Sequence, residues 1–269
     1  MSEKNYAGSL MKGKRGLVMG VANEKSIAWG IAKMLADHGA ELAFTYQGEG
    51  FEKRVRPLAE SVGSDLVLPC DVTDDESLDA VFSTLKDKWG SMDFLVHSLA
   101  FSDKNELTGR FINTSRENFK NSMDISAFSF IDTSRRASEL MPNGGSIITL
   151  TFEGATKVIP NYNVMGVGKA ALEAATRYLA VDLGADNIRV NALSAGPMRT
   201  LAGAAIGSAR ALYRWTKTHS PIQENVAMED VGGAGVYLLS DLSGGVTGEI
   251  HFVDNGYHVV GAPNPANLD

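Results

Sequence analysis

Tyr162 and Lys169 stand seven positions apart in the stretch Tyr162-Asn163-Val164-Met165-Gly166-Val167-Gly168-Lys169. Seven positions is nearly two helical turns, so the two side chains would share a face if both residues were helical. A tyrosine hydroxyl can hydrogen-bond the oxygen of a carbonyl under attack, while a neighbouring ammonium binds ribose hydroxyls and steadies developing negative charge. Free phenol titrates at about pH 10, so a nearby cation would make it a more polarised donor. Alone the spacing is weak, because any chain of 269 residues holds several such pairs.

A second stretch, Gly20-Val21-Ala22-Asn23-Glu24-Lys25-Ser26-Ile27-Ala28-Trp29-Gly30, is a glycine-bounded turn that feeds an amphipathic helix. Such a turn lets backbone N–H groups and the helix dipole approach a pyrophosphate. It is not the usual G-x-G-x-x-G, and an ordinary loop with Ser26 as helix N-cap reads equally well. Two polar strand ends favour the dinucleotide. Tyr46-Gln47-Gly48-Glu49 lies where the adenosine ribose would sit. A 2′-phosphate there would call for a basic residue, yet Glu49 stands closer than Lys53, so NADH is expected over NADPH. Cys70-Asp71-Val72 offers a carboxylate to the adenine amino group, or simply a turn residue.

These groups need a scaffold. Short apolar runs at residues 16–19, 41–45, 66–70, 94–97, 146–150, 189–193 and 249–253 alternate with helical patterns at 27–38, 76–89, 116–140, 164–183 and 231–239. Near-continuous apolar strands separated by helices call for a parallel sheet covered on both faces. The expected architecture is α/β: a single doubly wound Rossmann-type domain over residues 1–269, with a seven-stranded parallel sheet. The longest stretch without a βα pattern, about 196–225, follows a strand end and reads as a substrate-binding loop.

Composition bounds the rest. A composition of 44% hydrophobic and 21% charged residues is ordinary for a soluble globular enzyme. Its 25 Lys and Arg are scattered among 32 acidic residues, with a net charge of −7, which argues against a nucleic-acid partner. Residues 1–14 are polar and no later run is long and apolar enough for a bilayer, so no membrane association and a cytoplasmic location are expected. The lone Cys70 reads as a packed thiol, and the five histidines lack metal-ligand spacing, so no metal site is expected.

Together these segments resemble the short-chain dehydrogenase/reductase superfamily and, within it, the bacterial enoyl-acyl-carrier-protein reductases of the FabI type. Ordinary superfamily members place the lysine four residues after the tyrosine; here Gly166 stands there and Lys169 comes three later, the wider spacing of the enoyl reductases. The resemblance runs from Gly13 to about Val260. It includes the turn at Gly20 to Gly30, Asp71-Val72, Val96-His97-Ser98-Leu99-Ala100, Pro160-Asn161-Tyr162-Asn163, Arg189-Val190-Asn191-Ala192, and Ser194-Ala195-Gly196-Pro197-Met198-Arg199-Thr200.

The resemblance implies NADH-dependent reduction of the trans-2 double bond of an enoyl thioester, the last step of fatty-acid elongation, with acyl-carrier protein delivering the substrate to a homotetramer. It places Gly20, Ser26 and Ile27 at the pyrophosphate and ribose, Gln47 at the adenosine, Asp71 and Val72 at adenine, and Leu99 near the cofactor. Lys169 would bind the nicotinamide ribose, and Met198, Arg199, Thr200, Leu201 and Ala202 would line the nicotinamide and phosphates. Ser102, Phe152 and Tyr162 would meet the substrate, with Tyr162 and Lys169 as the catalytic pair. Many FabI-type enzymes carry a second tyrosine where this chain has Phe152, whereas the mycobacterial enoyl reductase also has phenylalanine there. The neighbouring Glu153 has no role that the resemblance supplies. A 3-oxoacyl or other carbonyl reductase of the same superfamily, and a catalytically weak NADH-binding paralogue, remain the alternatives.

Overall fold

The apolar runs form seven strands: β1 (Arg15–Met19), β2 (Glu41–Tyr46), β3 (Val67–Pro69), β4 (Phe94–His97), β5 (Gly145–Thr151), β6 (Ile188–Ala195) and β7 (Ile250–Val253). All pair in parallel, in the order β3-β2-β1-β4-β5-β6-β7. This is the expected Rossmann-type sheet. The structure is a computed structural model and describes residues 7–204 and 207–262.

Successive strand residues point to opposite faces, and the sheet has a core on each. Val18, Phe44, Val96, Ile148 and Leu193 pack with α1 (Ile27–Asp37), α2 (Glu49–Ser61) and α9 (Met228–Leu239). Their strand neighbours Leu17, Ala43, Leu95 and Ile147, with Val190, pack against α3 (Asp75–Trp89), α5 (Ser129–Ser138) and α6 (Val164–Gly184). Burial on both sides explains why the strands read as unbroken apolar runs. Strand order reverses between β1 and β4, which opens a crevice at the carboxyl end of the sheet.

Three elements differ from the sequence expectation. α2 was not foreseen: it carries Pro57 in its interior and buries only Val55 and Ala59, so both composition and periodicity conceal it. The helix expected over 116–140 is interrupted. α4 (Arg116–Met123) runs into a π-helical turn (Asp124–Phe128) and then into α5. The stretch 196–225 contains the short α7 (Leu201–Ala204) and the strongly amphipathic α8 (Ala209–His219), of which only Thr216 is fully buried. Among the described residues no helix is long and apolar enough to cross a membrane.

Candidate active site

The loop after β1 makes its turn at Gly20, whose φ is 94°. A Cβ there would lie 2.0 Å from the Ser98 carbonyl oxygen on the neighbouring strand end, so only glycine fits. Ser26 occupies the N-cap of α1, yet its hydroxyl turns back into the loop and accepts from the amides of Ala22 (3.0 Å) and Asn23 (3.1 Å). The capping expectation is thereby corrected: Ser26 shapes the loop and gives no side-chain cap, leaving the first-turn amides of half-buried Ile27 and of Ala28 without a capping side chain.

The adenosine end was read from two separate strands, and the fold brings them together. Gln47 Nε2 donates to Asp71 Oδ2 at 3.0 Å. The Asp71 carboxyl is held below its usual range by the Thr73 amide and hydroxyl, so it remains an anionic acceptor. Val72 and Leu99 pack at the edge of the second core. Glu49 and Glu52 begin α2, and Arg56 is taken up by Glu52 at 2.5 Å, an anionic rim that disfavours a 2′-phosphate. Cys70 is buried, its thiol pushed up to about 12 by burial and then by Asp71, which suits a packed thiol and no nucleophile.

Tyr162 is not helical. It lies in the turn before α6, so the shared-face argument does not apply to it. Asn163, the N-cap, has φ 42° and ψ −123°, a region glycine favours. Its amide donates to the carbonyls of Glu106, Leu107 and Gly109 at 3.1, 3.2 and 3.4 Å, which holds the strained residue in place. The Tyr162 ring meets Phe152 edge-on, centroids 5.3 Å apart. A Cβ on Gly154 would come within 2.4 Å of that ring, and one on Gly166 within 2.7 Å of the Gly154 carbonyl oxygen. Leu107, Ile159, Met165 and Leu212 complete a small apolar cluster around the phenol, separate from both main cores.

Lys169 is 6% exposed and its Nζ donates to the Leu150 carbonyl at 2.6 Å. Burial pulls its pKa down to about 8, against an opposing pull from Glu173. Burial raises the Tyr162 hydroxyl above the usual phenol range. Burial is the one cause of that shift, and no charged neighbour contributes, so the lowering expected from a nearby cation is absent. His97 ends β4 fully buried between Thr149 Oγ1 (2.9 Å) and Ser129 Oγ (2.8 Å). Ser129 gives its hydroxyl proton to the Ile125 carbonyl at 2.6 Å, so His97 Nε2 must donate and Nδ1 accept from Thr149. Burial first, then Lys169, lowers His97 to about 3 and keeps it neutral.

The loops after β4 and β6 close the remaining sides. Ser102 pairs with Asn118, and the Phe101 amide donates to Ser126 in the π turn at 3.0 Å. Met198 packs on the first core, the Thr200 hydroxyl accepts from the Gly203 amide at 2.9 Å, and Arg199 stacks over Tyr213 at 4.5 Å. Leu201 is half exposed on α7; Ala202 follows it, its side chain outside the described residues, as are residues 205 and 206. Ser208 donates to the Pro160 carbonyl, two residues before Tyr162.

Residues 20–258 match the family described as enoyl-(acyl carrier protein) reductase. The chain belongs to this family. It is 61% identical over 254 residues to enoyl-[acyl-carrier-protein] reductase [NADH] 2 of Rhizobium meliloti (strain 1021), covering 94% of this chain and 95% of that one. The structure of FabI from Candidatus Liberibacter asiaticus is similar with a TM-score of 0.94 and 56% identity, over 96% of this chain and 100% of that chain. A reductase from Anaplasma phagocytophilum in complex with NAD gives 0.93 and 58%, over 96% and 98%. The carbonyl-reductase alternative gives way to an NADH-dependent enoyl reductase.

The groups present fit that cofactor: a turn that no Cβ could enter, uncapped amides at the start of α1, an ionised Asp71, and a buried ammonium at the end of β5. Sequence reasoning about the reductase missed Asn163, His97, Glu173 and the apolar cluster. Asn163 and His97 lay within quoted motifs without a role, and Glu173 one turn beyond Lys169 was a readable signal. The cluster comes from separate segments and left none.

Proposed function

We propose that the crevice at the carboxyl ends of β1 to β6 is the active site of this NADH-dependent enoyl-acyl-carrier-protein reductase, with Tyr162 and Lys169 as its catalytic pair. The observation that carries this reading is the Tyr162 phenol, buried in an apolar cluster on the strand end where the Lys169 ammonium also arrives. Gly20, Ser26 and Ile27 cradle the pyrophosphate. Gln47, Asp71 and Val72 hold the adenosine, and Leu99 with Met198, Arg199, Thr200, Leu201 and Ala202 lines the remainder. When bound, NADH supplies the hydride that adds to C3 of a trans-2-enoyl thioester.

Charge then develops on the thioester oxygen as an enolate. The raised Tyr162 hydroxyl stays protonated across neutral pH and donates to that oxygen, while Lys169 holds the ribose and adds positive potential. Protonation at C2 completes the saturated chain. Phe152 supplies packing with no second hydroxyl, and Ser102 borders the acyl group. The segment at about 196–225 is the substrate loop of a single-domain protein; its Leu212 reaches the Tyr162 cluster, and closing it excludes water.

The basic stripe Arg210, Arg214 and Lys217 on the exposed face of α8 supports docking of an acidic acyl-carrier protein beside that loop. Phe128, Ile131, Val167, Tyr178 and Val181 form an exposed apolar surface on the α4–α6 side, which supports assembly into a homotetramer.

Turnover with crotonyl and acetoacetyl thioesters, followed by NADH oxidation, tests the reading. Faster oxidation with the enoyl substrate is expected. Faster oxidation with the keto substrate, or none with any enoyl chain length, overturns it.

A further inference from the structure

Lys169 and Glu173 are four residues apart on α6, one turn apart on the same face, and only 6% and 7% exposed. Both reach the carboxyl end of β5 at consecutive residues. Lys169 Nζ donates to the Leu150 carbonyl at 2.6 Å, and the Thr151 hydroxyl donates to Glu173 Oε1 at 2.8 Å. A buried ammonium with only a neutral carbonyl for company is costly, and it sheds its proton unless an anion shares its surroundings.

The other ionisable groups around Lys169 do not supply that anion. His97, arriving from β4, is neutral between Thr149 and Ser129. Glu153, in the turn after β5, is ion-paired with Lys157 at 3.0 Å. Asp124 on the π turn is exposed, and Asp132 on α5 is engaged by Arg135 and Arg136. Tyr162 is an uncharged phenol at neutral pH. Glu173 remains, flanked by Arg177 on its own helix and repelled by Glu153.

We propose that Glu173 is a positioning residue for the reduction. Aimed by Thr151, its carboxylate is the counter-ion that keeps the Lys169 ammonium charged at the cofactor ribose. This rests on the assignment of Lys169 to that ribose. Thr151 carries the second half of the device, because its hydrogen bond offsets the burial that otherwise favours a protonated Glu173.

NADH affinity, read by fluorescence titration from pH 6.5 to pH 9.5, tests the proposal on the intact protein. Glu173→Gln keeps the shape and the Thr151 bond but removes the charge. Its alkaline loss of affinity is expected about one unit lower than in the wild type, an opposite charge nearby being worth roughly 1–3 units. At pH 9 the variant then binds up to about tenfold more weakly, and the gap narrows towards pH 6.5. Glu173→Asp is expected to restore most of the midpoint. Thr151→Val, which also serves if the glutamine variant misfolds, is expected to shift it in the same direction by less. An unmoved midpoint, or uniform weakening at every pH, overturns the role of Glu173 and leaves it a structural tie. Lys169→Ala separates the two levels: its alkaline limb is expected to vanish, and a limb that persists overturns the assignment of Lys169 itself.

Discussion

The proposed role of Tyr162 as a donor rests on what surrounds it. Phe152, Leu107, Ile159 and Met165 strip water from the ring, and burial raises the hydroxyl so that it remains protonated across neutral pH. Tyr162→Phe keeps that packing and deletes the donor. Turnover is expected to fall about 10²-fold or more, the range for one positioned proton donor, with NADH affinity little changed in a fluorescence titration. The proposed place of Lys169 at the ribose predicts the wild-type pH dependence. A group with its pKa at about 8 is charged below that value and loses its proton above it, so NADH affinity is expected to hold through neutral pH and weaken as pH rises past 8. A titration that stays flat to pH 9.5 contradicts this.

The two turns that present the site are built differently. The β1–α1 turn depends on an absence, since Gly20 passes so close to Ser98 that any side chain would force β1 and β4 apart. Gly20→Ala is expected to cost most of the NADH affinity, measurable by titration, and to lower Tm as well. The turn before α6 depends on a presence: the Asn163 amide binds three carbonyls and compensates a strained backbone. Asn163→Ala removes those bonds and retains the strain, a combined destabilisation of about 1–3 kcal/mol in chemical denaturation. Turnover should fall with it, because Tyr162 is the preceding residue. Full turnover in a destabilised Asn163→Ala protein would separate the turn from the chemistry.

At the scale of the whole molecule, the parallel order places every strand's carboxyl end on one rim, and the long helices on the α4–α6 side leave apolar residues facing outward. Val181 is 79% and Tyr178 77% exposed, an unusual amount of apolar surface for a face meant for water. Val181→Glu is expected to shift sedimentation towards smaller species at equal concentration, since a charge there must be desolvated at any isologous contact. An unchanged sedimentation coefficient would overturn the reading of this face as an assembly surface.

The sequence by itself determined the strands, the parallel α/β class, the glycine turn and the tyrosine–lysine spacing. These rest on local rules: which residues suit a strand buried on both faces, and how far apart two residues lie along one chain. Short-range signals failed where burial was slight or backbone unusual, as in α2 with Pro57, the π turn that breaks 116–140, and α8 inside the supposed loop. Only the tertiary structure decided that Gln47 meets Asp71, that Leu107 and Leu212 reach Tyr162, and that Tyr162 precedes its helix, so that strain and packing position it. Those contacts join residues far apart in the chain, and their energies depend on desolvation, which exists only once the sheet and its two helical layers have closed.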